Sequence, residues 1–144
     1  MVACTFFGHS RVYKRIEKEL MSAITDMIVK NDVKRFYVGN HGEFDKCVLS
    51  CLKKIKLQFP NIEYFVVLAY LPTGSKTELC VDPKNTIFPE GMEDTIPKYA
   101  IIKRNNWMID RSDYVITYVL RSGGAERFKK LSEKRGKIVV NLIT

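Results

Sequence analysis

The residues best suited to chemistry gather in a few short segments. Phe7-Gly8-His9-Ser10 follows one apolar run, Gly39-Asn40-His41-Gly42-Glu43-Phe44-Asp45 follows a second, and Arg121-Ser122-Gly123-Gly124-Ala125 follows a later one. Five of the eight glycines lie in these segments, as do both histidines, and a sixth glycine, Gly74, follows another apolar run. Glycine has no Cβ, so its backbone N–H can come close to an anion. Each segment also feeds a helical stretch, whose first N–H groups attract negative charge. Gly123-Gly124 therefore reads as a phosphate cradle. One such pair more often makes only a tight turn, but three turns together with both histidines favour a ligand site. His9 suits contact with phosphate or ribose better than catalysis. The carboxylates Glu43, Asp45 and Glu126 are the candidates for acid–base or nucleophilic work. Arg104 and Asn105 add polar groups, and arginine grips phosphate in a bidentate manner. Spacing alone balances that role evenly against exposed polar residues on a half-buried helix.

These segments need a scaffold that brings them together, and the hydropathy pattern supplies one. Residues 2–7, 35–38, 62–70, 114–120 and 137–143 are short, nearly continuous apolar runs, which reads as strands buried on both faces. Between them, Ile16, Leu20, Ile24, Met27 and Ile28 recur at helical spacing, with Ser10 as the expected N-cap. Phe44, Cys47, Val48, Cys51, Leu52, Ile55 and Phe59 form a second stripe that stops before Pro60. Residues 99–111 and 123–135 read as two more helices. The alternation predicts an α/β domain with a five-stranded, mainly parallel sheet and helices on both faces. Right-handed crossovers make the first strand central, between the second and fourth. Residues 71–98, broken by Pro72, Gly74, Pro83, Pro89, Gly91 and Pro97, are expected to form an irregular lid or partner-contact loop. In such a sheet ligands bind outside the carboxyl ends of the strands, where the three segments lie.

At 144 residues the chain is one domain's length and can bury a core without disulfides or a structural metal. Its net charge of +8 favours anionic partners, although a lysine-rich exterior gives the same number. The four cysteines, Cys4, Cys47, Cys51 and Cys80, form no C-x-x-C pair, and with two histidines they suggest reduced thiols in a cytoplasmic protein without a metal site. No run approaches the ~20 apolar residues of a membrane helix. No leader segment is evident, and no cofactor is implied.

Certain motifs come in a distinctive order. The opening strand leads to Gly8-His9, then Gly39-x-x-Gly42-x-Phe44-Asp45, then Arg104-Asn105 with Met108-Ile109-Asp110, then Ser112-Asp113 before a strand, and finally Gly123-Gly124. In this order the chain resembles the SLOG superfamily over essentially its whole length. That superfamily includes the Lonely Guy phosphoribohydrolases, the DNA-processing protein A family and sensor domains for nucleotide signals. More narrowly, the chain resembles small SLOG proteins of Firmicutes and their phages. The resemblance implies a Rossmann-like sheet and a nucleotide-type ligand. By position, Gly8, Gly39, Gly42, Phe44, Asp45, Arg104, Asn105, Gly123 and Gly124 match that family's ligand edge. Asn40, Ser122 and His9 lie in the same segments. Lonely Guy enzymes carry Pro-Gly-Gly-x-Gly-Thr-x-x-Glu, whereas this chain reads Arg121-Ser122-Gly123-Gly124-Ala125-Glu126-Arg127-Phe128-Lys129. The glycine–threonine step is missing, and a lysine falls near the expected glutamate.

The expected function is binding of a nucleotide or nucleotide-derived signal, with self-association as a compatible assembly. The alternatives are hydrolysis of the N-glycosidic bond of a nucleoside monophosphate, and single-stranded nucleic-acid binding. The last is the less favoured, because Lys53, Lys54 and Lys56 read as a solvated helix flank. On sequence grounds alone, Gly8, Gly39, Gly123 and Gly124 should line one pocket with His9, Arg104 and Asn105, and Arg104→Ala should weaken binding while leaving the fold intact.

Overall fold

The computed structural model describes residues 1–71 and 83–142. Cys80, Pro72 and Gly74 lie outside the described residues. Among these residues six strands form one sheet: β1 (Ala3–Gly8), β2 (Arg35–Val38), β3 (Glu63–Val67), β4 (Thr86–Ile87), β5 (Tyr114–Tyr118) and β6 (Ile138–Asn141). Their order is β4-β3-β2-β1-β5-β6, and every neighbouring pair is parallel. The helices are α1 (Glu17–Asn31), α2 (Gly42–Gln58), α3 (Pro97–Asp110) and α4 (Gly124–Lys134). This is a Rossmann-like α/β architecture. As expected from the sequence, β1 lies between β2 and the strand at 114–118.

The strands are apolar on both sides because both faces are covered. Leu20, Ile24 and Met27 of α1 pack with Val48, Leu52 and Ile55 of α2 against Phe6, Phe36 and Ile116. On the other face Met108 and Ile109 of α3 and Phe128 of α4 pack with Phe7, Tyr37 and Val115. The chain therefore winds outward from β1 through β2 and β3 along one face. It then returns along the other face through α3 to β5, beside β1. The crevice between the ends of β1 and β5 is the point where the winding reverses.

Two sequence expectations are corrected. Among the described residues the sheet has six strands, because β4 pairs Thr86 and Ile87 with Val66 and Val67 at the sheet edge. Two residues leave no periodic signature, and their surroundings are rich in turn formers. The described part of the 71–98 segment packs beside this edge: the Leu68 N–H donates to the Ile87 carbonyl, and Met92 is buried with Ala69 and Ala100. Secondly, α1 begins at Glu17 with Ile16 at its N-cap and no side-chain cap. Ser10 does not cap it. Residues 11–15 form no helix, and Arg11, Tyr13, Lys14 and Arg15 are all exposed. The helix starts where the apolar spacing does, at Ile16. Among the described residues no helix is long and apolar enough to cross a membrane.

Candidate functional site

A cavity of about 320 Å³ opens at the crevice between β1 and β5. Gly8, His9 and Ser10 line it from the end of β1, His41 and Asp45 from the start of α2, Ile101, Arg104, Asn105 and Met108 from α3, and Arg121, Gly124 and Ala125 from the β5–α4 junction. This is where the strand-end rule for parallel sheets places ligands.

Arg104 is the most unusual wall residue, since only 2% of it is exposed. A guanidinium keeps its charge even when buried, so its placement must be offset by partners. Nη1 donates to the Val67 carbonyl at 2.9 Å and to Asn40 Oδ1 at 3.4 Å, while Nε donates to Asn105 Oδ1 at 2.6 Å. Nη2 meets no acceptor among the described residues. Asn105 is also buried, and with Oδ1 occupied its amide N–H groups remain as unspent donors. Gly39 makes this packing possible: a Cβ there would lie 2.8 Å from Asp45 Oδ2 and 2.9 Å from Arg104 Cζ. A larger residue there would push the carboxylate or the guanidinium away from the end of β2.

His9 is buried, and its Nε2 accepts the Leu120 N–H at 2.9 Å. The neutral ring must then carry its proton on Nδ1, a further donor. Burial, with Arg121 nearby, lowers the His9 pKa; burial, with Arg104 nearby, lowers that of His41. Helix α4 adds backbone donors. It has Gly123 at its N-cap, with φ of 140°, and no side-chain cap. Its first intrahelical bond runs from Arg127 N–H to the Gly123 carbonyl, so the N–H groups of Gly124, Ala125 and Glu126 have no helical partner. Thus Arg104, Asn105, His9 and the start of α4 all present donors to one cavity.

Asp45 is the one carboxylate among the described residues of its wall. Burial pushes its pKa up to about 6, against the lowering effects of the His41 N–H bond and the Arg104 charge. An aspartate raised in the folded state is protonated there while still ionised in the unfolded chain. Its stabilising contribution is complete below about pH 4 and is lost as pH rises through about 6. Unfolding free energy is therefore expected to fall by about 2 kcal/mol across that window, and Asp45→Asn should remove the fall. Urea titrations at pH 4, 5, 6 and 7 measure it. An unchanged slope in the variant would mean that another group titrates.

The remaining sequence candidates take other places. Gly39 and Asn40 support Arg104 from behind the wall. Phe44 is 1% exposed and stacks on Tyr118 at 6.2 Å, which makes it a core residue. Glu43 is exposed, and its Oε2 accepts the Val12 N–H at 3.0 Å. Its own N–H donates to the Ser10 carbonyl next to Gly42. Glu126 pairs with Lys130 on α4. Ser122 and Gly123 are exposed beside the cavity rather than in its wall. Of the helix-flank lysines, Lys54 pairs with Glu17, and Lys56 donates to the Pro60 and Ile62 carbonyls. Sequence reasoning missed Ser10 as a wall residue, and it missed Arg121. The signal for Arg121 was present: a cation immediately before the glycine pair at a strand end.

The class defined by fold and site is a Rossmann-like α/β domain with a donor-rich crevice at its winding reversal. No family model matches the chain, and no curated protein matches it.

Proposed function

We propose that the chain binds a nucleotide or nucleotide-derived anion in the β1–β5 crevice. The observation that carries this reading is the convergence of buried donors on Arg104, Asn105 and His9 with the uncapped start of α4. Hydrogen bonds to charged groups are among the stronger ones, and one anion in the cavity would accept from these donors together. The α4 N–H groups and Arg121 suit a phosphate. Ile101, Met108 and Phe7 give the wall an apolar part that suits a sugar or base. The likeness to the SLOG pattern points the same way. Calorimetric titration with a panel of nucleoside monophosphates and with inorganic phosphate tests the reading. Binding of at least one nucleotide more tightly than phosphate is expected, and no heat with any of them at millimolar concentration would refute it.

Asp45 supports a second reading, hydrolysis of the N-glycosidic bond. It is the carboxylate in the cavity wall, and its pKa of about 6 suits proton transfer near neutral pH. Release of free base from a bound nucleoside monophosphate, lost in Asp45→Asn, would establish it. Binding without release would leave the crevice a recognition site.

A further inference from the structure

Beside the cavity, residues 11–15 form a non-helical segment, Arg11-Val12-Tyr13-Lys14-Arg15, exposed at every residue but the half-buried Val12. Tyr13 is 80% exposed. A large aromatic ring left in water forgoes the burial that would normally stabilise it, so its position calls for an account. The segment is held in place. The Val12 N–H donates to Glu43 Oε2 at 3.0 Å, and Arg121 Nη2 donates to the Arg11 carbonyl at 3.3 Å. The Arg121 guanidinium also stands 5.7 Å from the centre of the Tyr13 ring. Arg121 lines the cavity, so Tyr13 is one guanidinium away from it. The two side chains make a cationic and aromatic platform continuous with the cavity mouth.

Resting on the nucleotide reading of the crevice, we infer that the ligand carries two nucleobases: one nucleoside unit occupies the cavity, the linking phosphate lies between Arg121 and the start of α4, and the second base stacks on Tyr13. A nucleobase has a flat π-face that an exposed tyrosine can cover in water, and an arginine beside the ring suits the phosphate that joins the two units. A mononucleotide would leave Tyr13 unused. The shared chemistry is two nucleosides joined through one or two phosphates, whether by a phosphodiester or by a pyrophosphate bridge.

The test compares four probes by calorimetry on the whole chain: a nucleoside monophosphate, a linear phosphodiester dinucleotide, a pyrophosphate-linked dinucleotide and a twelve-residue single strand. One of the two dinucleotides is expected to bind at least tenfold more tightly than the monophosphate, and which one does so identifies the linkage. Tyr13→Ala should remove roughly tenfold or more of that affinity and leave monophosphate binding unchanged, whereas Tyr13→Phe should retain it. The residue is exposed, so neither change threatens the fold. Dinucleotides that bind no better than the monophosphate would overturn the inference while sparing the nucleotide site. Failure of all four probes would overturn both. A single strand binding tenfold more tightly than either dinucleotide would overturn it in favour of a nucleic-acid track.

Discussion

Arg104→Ala is expected to weaken binding of a nucleoside monophosphate by roughly ten- to a hundredfold, since a hydrogen bond to a charged group contributes about 1.5–3 kcal/mol. The same change should lower the unfolding free energy by about 2–4 kcal/mol. The sequence by itself suggested that the fold would be indifferent, and burial corrects that. Arg104 is 2% exposed and donates to the Val67 carbonyl from inside the protein. Truncation leaves that carbonyl and Asn105 Oδ1 without their donor and opens a cavity between α3 and the sheet. A domain of ordinary stability, about 5–15 kcal/mol, survives such a loss. Urea unfolding measures the second effect, and calorimetry on the folded variant measures the first. Arg104→Lys separates charge from geometry: it keeps the cation but cannot reach Val67, Asn40 and Asn105 with one planar fork. Full affinity in both variants would place the anion elsewhere.

Gly8→Ala should destabilise the protein by about 3 kcal/mol, the upper part of the usual cost of overpacking. The new Cβ would fall 2.3 Å from Cγ of Phe44 and within 2.7 Å of both Cδ atoms. The ring has no room to retreat, because it is 1% exposed and stacked on Tyr118. Pairing the change with Phe44→Leu should recover part of the loss, because the two residues are in contact and their effects do not add. Equilibrium unfolding of the two single variants and the double variant gives the coupling. A loss below about 0.5 kcal/mol for Gly8→Ala, within the range of surface substitutions, would show that the ring moves aside freely. The result also bears on the site. Gly8 lines the cavity while Phe44 holds it from behind, so the glycine serves close packing first.

Much of this arrangement was legible from residue order. The stripe from Phe44 to Ile55 specifies α2, because a 3.6-residue period is a local property written into the spacing of apolar side chains. The apolar runs at β1, β2 and β5 specify strands buried on both faces. The rule that parallel sheets bind ligands at their carboxyl ends then places Gly8, His9, Asp45, Arg104, Asn105 and Gly124 at one edge, and the cavity collects all six. Strand β4 escaped because two residues cannot establish a period. The role of Ser10 escaped because a good capping residue is informative only if a helix follows it, and none does until Glu17.

The sequence alone determined the α/β class, the central place of β1 and the edge at which chemistry is possible. Each follows from local periodicity together with the handedness of crossovers. The tertiary structure decided which polar groups at that edge reach the cavity and which support it from behind. Phe44 and Asp45 are adjacent in the chain, yet one packs under Gly8 and the other lines the cavity, since successive residues on a helix point about 100° apart. Arg104 is buried because Val67 and Asn40 arrive from distant parts of the chain to receive it beside its neighbour Asn105. Tyr13 meets Arg121 because β1 and β5 are neighbours, although 108 residues separate the two in sequence. Such contacts depend on strand order and helix rotation across the whole sheet, and no window of consecutive residues contains that information.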